Sequence, residues 1–246
     1  HLLTFSLSAQ GELSEQPRIF YRNEKSVGIL LNSNGYGLSG RYGKRINARK
    51  KTIYELDLLF IKHPKEVKNP FNYYNNNKSF VYGKLNSFFN IRAGYGRQKE
   101  IFRKVDRGGI SVRRFYSFGP SLGILKPVNY EVLQNSSNAP YLEQIKFDPS
   151  INYSFIWSRA SFFKGIDEIS VVPGFFGKAG ISFEYSRQDI TLHALETGIA
   201  LEIFPKEIPI MATENNNFIF FSLFVSYRFG KVVDASGIID ENDLIN

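Results

Sequence analysis

The stretch from Phe218 to Gly230 reads FIFFSLFVSYRFG, and it decides the fold. Alternate positions form an apolar and aromatic row: Phe221, Leu223, Val225, Tyr227 and Phe229. The positions between them form a mixed row: Ser222, Phe224, Ser226 and Arg228. Successive side chains of a β-strand point to opposite faces, so one face is apolar while the other carries a positive charge that needs a polar interior or a paired partner. The pattern predicts a strand between lipid and a filled lumen, and Tyr227 and Phe229 are typical of the closing strand of an outer-membrane β-barrel.

The same alternation recurs along the rest of the chain. Eight stretches, most of at least about nine residues, are long enough to cross a tilted bilayer. They cover residues 25–33, 35–44, 51–62, 80–97, 109–126, 169–186, 190–204 and 217–230. Short turns alternate with long connections, and the long ones, at 63–79, 127–168 and 205–216, are expected on the outer side. This order predicts an all-β protein, an antiparallel up-and-down transmembrane β-barrel of about eight strands with a filled lumen.

The composition is consistent with such a barrel. The 246 residues suit one barrel or one large β domain. The sequence contains no run of 18 apolar residues, so it predicts no membrane-spanning helix. Aromatic residues make up 15% of the chain, which suits the aromatic girdles of a membrane barrel. The absence of cysteine excludes disulfides, thiol catalysis and thiolate metal sites. The net charge of +8 gives little support to a nucleic-acid partner, because the basic residues fall mostly at strand ends.

The two ends of the chain indicate export. Residues 1–9 resemble the tail of a signal peptide cut after Ala9, although they could instead form an apolar first strand. We expect a periplasmic N-terminal segment at 10–24, the barrel at 25–230 and an acidic periplasmic tail at 231–246. The predicted location is therefore the bacterial outer membrane, with both termini in the periplasm.

The inward rows of the predicted strands carry ionisable residues of both signs. Six are basic and five are acidic: Arg41, Lys84, Arg92, Arg113, Lys178 and Arg228, with Glu55, Asp57, Glu184, Glu196 and Glu202. An eight-stranded barrel is filled by side chains, and charges persist there only when they are paired. The near balance predicts a closed lumen held by ion pairs. The alternative is a proton or ion path along the same carboxylates.

The sequence offers little for catalysis or for binding a cofactor. His63 follows the third predicted strand, where a hydrolase or acyltransferase acting on lipids could carry its base. No serine or acid is placed to work with it, so we expect an ordinary solvated loop histidine. The acidic tail lacks the spacing of a calcium loop. We therefore predict no catalytic residues, no metal site and no cofactor.

Two surfaces are candidates for contact with lipid headgroups or with protein partners. The inner turns are basic, and their candidate residues are Arg45, Arg49, Lys50, Lys51, Arg103, Lys104 and Arg107. These charges could bind anionic headgroups or an acidic partner, or they could serve only membrane topology and solubility. The sequence leaves both interpretations open. The outer loop 127–168 is rich in aromatic side chains, including Trp157, Phe162 and Phe163. Asp148 and Pro149 could start a short helix there, and the loop would be either a self-packed lid or an interface.

Several short motifs resemble a family of small outer-membrane β-barrels that is widespread in Bacteroidota. They are FYRNEKS at Phe20–Ser26, NGYG at Asn34–Gly37, YGKR at Tyr42–Arg45, HPKE at His63–Glu66, GKLN at Gly83–Asn86 and FFKG at Phe162–Gly165. The resemblance covers most of the chain after residue 10. It implies a barrel without enzymatic activity, and it suggests an accessory barrel of a multisubunit assembly such as the outer-membrane barrel-assembly machinery.

Three functions follow from these patterns. The first is a non-catalytic structural or accessory subunit of an outer-membrane complex for barrel assembly or export. The second is a lipid-modifying enzyme with a rim site near His63. The third is a surface adhesin that uses the outer loops 63–79 and 127–168.

Overall fold

We describe the chain from a computed structural model, which describes residues 22–69, 79–104, 108–135, 140–186, 190–212 and 214–233. The proposed signal remnant at 1–9 and the acidic residues of the tail lie outside the described residues, as does Arg107 of the basic turns.

Strands account for nearly all of the regular structure. In chain order they are β1 (Asn23–Asn32), β2 (Gly35–Asn47), β3 (Lys50–Ile61), β4 (Lys68–Asn69), β5 (Phe80–Val81), β6 (Asn86–Phe102), β7 (Ser111–Pro127), β8 (Asn129–Asn135), β9 (Pro140–Lys146), β10 (Ile156–Arg159), β11 (Ser170–Glu184), β12 (Thr191–Ile203) and β13 (Ile219–Val233). Two short 3-10 turns are formed by Tyr153–Phe155 and Ile166–Glu168. Among the described residues, no helix is long and apolar enough to cross a membrane.

Eight of these strands close into one barrel. The order around the barrel is β1, β13, β12, β11, β7, β6, β3 and β2, and all neighbours are antiparallel. The closing pair runs from Asn23 opposite Val233 to Asn32 opposite Phe224. Since each barrel strand pairs with the next one along the chain, the topology is up-and-down. The predicted fold class, an eight-stranded antiparallel barrel, is confirmed.

The outer face of the barrel is a continuous apolar surface. Large apolar side chains on the outward rows are between 40% and 72% exposed: they include Val27, Ile29, Leu31, Leu38, Leu56, Leu58, Phe118, Phe175, Leu201, Phe221, Leu223 and Tyr227. The positions between them are buried in the lumen, as the alternating burial of β13 illustrates. Water-soluble proteins rarely expose a contiguous apolar surface of this extent, so this face is suited to lipid.

The fourth predicted barrel strand begins later than the sequence pattern indicated. Phe80 and Val81 form the separate short strand β5, and Gly83 turns the chain with a positive φ of 77° before β6 begins at Asn86. Lys84 lies in this turn and forms an isolated bridge with Met211. The prediction that residues 80–85 alternate between lipid and lumen is therefore wrong, because the turn breaks the period of two.

The long outer connection between β7 and β11 contains a small sheet. Strands β10, β8 and β9 pair antiparallel in that order. Asp148 and Pro149, which could have started a short helix, do not start one in this described region: Ser150 N–H and Oγ donate to the Asp148 carboxylate, and the next regular element is the 3-10 turn Tyr153–Phe155. Tyr130, Val132 and Phe147 form a small apolar core beneath the sheet. This connection therefore has its own fold on top of the barrel.

An apolar plug fills the outer half of the lumen. The connection between β12 and β13 folds inward, so that Ile208, Ile210 and Met211 are almost fully buried. Around them lie side chains from the inward rows: Leu30, Ile61, Phe88, Leu125, Val172, Phe204 and Phe220. The backbone of Ile210 accepts a hydrogen bond from the N–H of Leu85 at 2.9 Å, which ties the plug to the start of β6. The predicted outer loop 205–216 is therefore partly a lumen-filling segment.

Candidate functional site

Glu55 on β3 is the centre of a charge network in the middle of the lumen. Its Oε1 atom accepts hydrogen bonds from Arg41 Nε at 2.7 Å, from Lys178 Nζ at 3.2 Å and from Arg228 Nη2 at 3.5 Å. Its Oε2 atom accepts a hydrogen bond from Ser117 Oγ at 2.7 Å. These partners lie on β2, β11, β13 and β7, so one carboxylate connects five strands of the barrel wall.

Glu196 on β12 extends this network to the next part of the wall. It accepts hydrogen bonds from both terminal nitrogens of Arg41, with Nη2 at 3.0 Å from Oε2, and from Arg228 Nε at 3.3 Å. Arg228 also donates to Ser39 Oγ at 2.9 Å. Its Nη1 donates to Ser26 Oγ at 3.4 Å. Arg228 is therefore held by two carboxylates and two hydroxyls, which is the kind of pairing that its position in the closing strand predicted.

A second group of charges lies just outward of the first. Asp57 accepts a hydrogen bond from Lys178 at 3.0 Å and lies 4.0 Å from Arg92. Arg92 forms an ion pair with Glu202, and Asn90 Nδ2 donates to the same carboxylate at 2.7 Å. The guanidinium of Arg92 also lies over the ring of Phe176, with 5.5 Å between its central carbon and the ring centroid. The two groups share Lys178 and act as one network.

The charges of this mid-lumen network balance. Four basic residues, Arg41, Arg92, Lys178 and Arg228, face four acidic residues, Glu55, Asp57, Glu196 and Glu202. On its inner side, the described side chains leave a cavity of about 10 Å³, which is close to the space of a single water molecule. With the apolar plug above, the described part of the lumen is packed and sealed. The alternative, an ion path along the same carboxylates, would have to cross these buried ion pairs and the plug.

Arg113 and Glu184, which the sequence placed in the same network, form a separate group at the inner end. They pair with each other, and Arg113 Nη1 lies 3.6 Å from Glu24. Lys104 donates to Glu184 at 3.2 Å and to the backbone oxygen of Ser186 at 2.8 Å. These contacts link β1, β7, β11 and the turn after β6, so they close the inner mouth of the barrel.

The structure places the basic residues of the inner turns in two environments. Lys51, expected on the surface, is instead buried and forms an ion pair with Glu24. Its position has the same parity as Glu55, which was the available signal that it faces the lumen. Glu24 was missed because the strand was expected to begin at residue 25, whereas β1 begins at Asn23. The remaining candidates are more accessible: Arg49, Lys50 and Arg103 are exposed, while Arg45 is half-buried.

His63 does not resemble a catalytic base. It is buried rather than solvated, which corrects the sequence-based expectation. Its Nδ1 atom accepts a hydrogen bond from the backbone N–H of Lys65 at 3.3 Å, so Nε2 carries the proton and donates to the carbonyl oxygen of Asn215 at 3.3 Å. Both ring nitrogens are therefore engaged by backbone groups. Among the described residues, no cluster of three or more side chains could hold a metal ion.

The aromatic candidates of the outer connection have different degrees of exposure. Trp157 on β10 is half-buried, whereas 45% of Phe162 and 75% of Phe163 are exposed. Strand β9 is an edge of the small outer sheet, and its Tyr141 and Leu142 are about half exposed. An edge strand with exposed apolar side chains offers unpaired backbone groups to another chain.

Together, the closed barrel, its apolar exterior and its paired lumen charges define a transmembrane β-barrel with a sealed interior. No protein-family model matches the sequence, and no curated protein sequence matches it.

Three solved structures are among those similar to this chain. Neisserial surface protein A is 10% identical, with 87% of this chain and 96% of that chain covered and a TM-score of 0.40. Ail, the attachment invasion locus protein of Yersinia pestis, is 8% identical, with 87% and 99% covered and a TM-score of 0.41. The N-terminal barrel domain of Pseudomonas aeruginosa OprF is 8% identical, with 86% and 98% covered and a TM-score of 0.35.

Proposed function

We propose that this chain is a non-catalytic barrel of the bacterial outer membrane that serves as a structural or accessory subunit of a larger complex for barrel assembly or export. The observation that carries the proposal is the combination of a sealed lumen with exposed apolar groups beyond both ends of the lipid-facing surface. A filled barrel acts through its outer surfaces, because its interior offers neither a path nor a reactive group.

The location in the outer membrane rests on the barrel itself. Single-chain barrels with an even number of antiparallel strands and an apolar exterior are the spanning structures of that membrane. β1 begins and β13 ends at the rim that carries the turns β2–β3, β6–β7 and β11–β12. Three of the four connections at the other rim are long, and the exception is the two-residue turn Ser33–Asn34 between β1 and β2. Since periplasmic turns are short and external loops long, we place the termini in the periplasm.

The first proposed partner surface is the outer sheet. Its edge strand β9 presents Tyr141 and Leu142, and the exposed rings of Tyr153 and Phe155 lie in the same connection. A neighbouring outer-membrane subunit could add a strand to this edge and cover the exposed apolar side chains.

The second proposed partner surface lies at the inner rim. Strand β6 continues to Phe102, and the side chains of Ile101, Phe102 and Ile110 are about half exposed or more. Two exposed basic residues lie close by: Arg103 directly follows β6, and Lys50 begins the neighbouring strand β3. An apolar hairpin end with basic neighbours suits an acidic periplasmic partner or anionic headgroups.

A surface adhesin is the second candidate function. The observation that favours it is the exposed aromatic surface of the outer connection, on the side that we assign to the exterior. The lipid-modifying enzyme is less well supported, since His63 has both nitrogens engaged by backbone groups.

The test is gentle detergent extraction from the native membrane, followed by mass spectrometry of the proteins that migrate with this chain. We expect defined partners in a fixed ratio. Phe102→Arg should release a periplasmic partner, Leu142→Arg should release an outer-membrane partner, and the lipid-facing control Phe221→Leu should release neither. If the wild-type chain runs alone as a heat-modifiable barrel, the accessory role fails. Loop-dependent binding to external targets would then favour the adhesin.

A further inference from the structure

A cavity of about 500 Å³ lies at the outer rim, between the barrel wall and the outer sheet. Four basic residues line it, Lys62, Lys68, Lys84 and Arg159, and Glu66 is the one acidic residue among its described lining residues. Glu66 forms an ion pair with Lys84. The other three cations have no carboxylate partner among the described residues. The cavity therefore carries an excess of positive charge, unlike the balanced mid-lumen network.

The cations of this cavity influence one another. Lys84 is the buried member, with 9% of its surface exposed. Burial, together with the positive charges of Lys62 and Arg159, lowers the pKa of Lys84 to about 8. A bound anion would offset this repulsion and favour the charged form of the ammonium group.

The floor of the cavity continues into the lipid-facing surface. Tyr36 and Phe60 are opposite each other on β2 and β3, and Phe60 is opposite Phe89 on β6. Neighbouring ring centroids are 5.6 Å apart for Tyr36 and Phe60, 5.1 Å for Phe60 and Phe89, and 6.4 Å for Phe89 and Phe162. The four rings form a row at the outer end of the apolar exterior, where aromatic residues meet lipid headgroups.

The cations lie directly against this aromatic row. The ammonium groups of Lys62 and Lys84 are 6.0 Å and 5.5 Å from the centroid of Phe60. Lys126 Nζ lies 4.7 Å from the centroid of Phe162. An amphiphile whose chains rest on the exterior would thus place an anionic headgroup among the cations. Both parts of such a molecule have a complementary surface here.

We propose that this rim cavity binds the phosphate-bearing headgroup of a lipid in the outer leaflet. The proposal rests on the membrane placement given under the proposed function, but not on the existence of a protein partner. The phosphate interacts with Lys62, Lys84 and Arg159, while the acyl chains follow the row from Phe60 and Phe89 along the apolar wall. Charge-assisted contacts with phosphate and burial of the chains together give the selectivity for a phospholipid.

The test is isothermal titration calorimetry of the purified, folded chain in a non-ionic detergent. The probe is dioctanoyl phosphatidic acid, compared with dioctanoylglycerol, which has the same chains without phosphate, and with inorganic phosphate. We expect phosphatidic acid to bind more tightly than either. The double variant Lys62→Gln and Arg159→Gln should weaken its binding by about tenfold or more, because each cation near an anionic group adds to the attraction. Both side chains are exposed, and heat-modifiable gel mobility verifies that the variant folds.

The matched control is the double variant Lys44→Gln and Arg49→Gln, which removes two exposed charges at the opposite rim. It should leave the affinity for phosphatidic acid nearly unchanged, since distant charges are screened by salt. An equal loss in the control would overturn the proposal, because it would indicate general electrostatic attraction. Equal affinity for dioctanoylglycerol or for inorganic phosphate would overturn it as well, and so would absence of binding. None of these outcomes bears on co-purification, so the two proposals fail separately.

Discussion

Two buried lysines of this barrel lie in opposite electrostatic surroundings. Lys178, in the middle of the lumen, contacts the carboxylates of Glu55 and Asp57 within a network of equal positive and negative charge. Lys84, at the outer rim, has the carboxylate of Glu66 beside it and two further cations close by. The first environment is balanced in charge without a ligand, whereas the second has room and charge for an anion. Balanced buried charge holds a structure together, and unbalanced charge at a rim can bind a ligand.

The largest expected effect comes from unbalancing the lumen. Glu55→Gln leaves Arg41, Lys178 and Arg228 with too little negative charge, and we expect a loss of about 3–5 kcal/mol in the free energy of unfolding. Urea titration of the barrel in detergent micelles, followed by circular dichroism and by gel mobility, measures it. The control Glu143→Gln on the exposed strand β9 should change stability by less than about 0.5 kcal/mol. Equal stability of the two variants would show that the charge network does not contribute to the stability of the barrel.

A smaller net change in the free energy of unfolding is expected when both members of one ion pair are replaced. Arg92→Met and Glu202→Met should each destabilise the barrel strongly, since each leaves a buried charge without its partner. The double variant should recover much of the loss, with a coupling energy of about 0.5–3 kcal/mol in a double-mutant cycle. Additive losses would contradict direct pairing of the two residues.

The hydroxyl group of Tyr130 allows a test of the contact between the outer sheet and the barrel rim. Tyr130 Oη lies 2.6 Å from the backbone oxygen of Val81, 2.9 Å from that of Lys84 and 3.1 Å from the backbone N of Lys84, and thus connects the sheet to the turn that carries Lys84. Tyr130→Phe should lower local stability by about 1–3 kcal/mol because buried backbone groups lose their partner. Hydrogen exchange should then be faster in residues 80–86 and unchanged in β13. Unchanged exchange at the rim would show that the hydroxyl is dispensable.

The smallest expected effect is the pH dependence of the rim. Burial and the charges of Lys62 and Arg159 lower the pKa of Lys84 to about 8, whereas the contacting carboxylate of Glu66 favours the charged ammonium. The folded rim therefore loses this proton as the pH rises above about 8, before an unfolded lysine would. Without a ligand, the unfolded state binds more protons between that pH and about 10.4, so stability rises with pH in this window. The affinity for phosphatidic acid should fall over the same range, because Lys84 becomes neutral.

The control for this pH effect is Lys84→Met, which has no ionisable group at that position. Its affinity for phosphatidic acid should vary with pH only through the ligand and through the other cations. Calorimetry of both proteins at pH 7 and pH 9.5 separates the two contributions. Identical pH dependence in wild type and variant would show that Lys84 does not contribute to anion binding.

Several features were accessible from the sequence because they depend on local alternation. The parity of positions in β3 and β13 correctly placed Glu55, Asp57 and Arg228 inside and Phe221 outside. The same rule would have placed Lys51 inside, but its position at a strand end led to a surface assignment. The rule failed at residues 80–85, where Gly83 turns the chain. It also gave no warning of the outer sheet, since its pairing depends on residues of a long connection meeting across an unpredicted turn.

The chain by itself determined an eight-stranded barrel, its apolar exterior and most of the charges that face inward, because a period of two is a local property of a strand. Only the tertiary structure determined which basic residue pairs with which acidic residue. Arg41 and Glu196 are separated by 155 positions, and they touch because the barrel closes and its register brings β2 and β12 across the same lumen. The rim cavity likewise brings together Lys62 and Lys84 of the β3–β6 connection and Arg159 of the β7–β11 connection. Pairing across a closed space depends on register and curvature, which alternation along one strand does not encode.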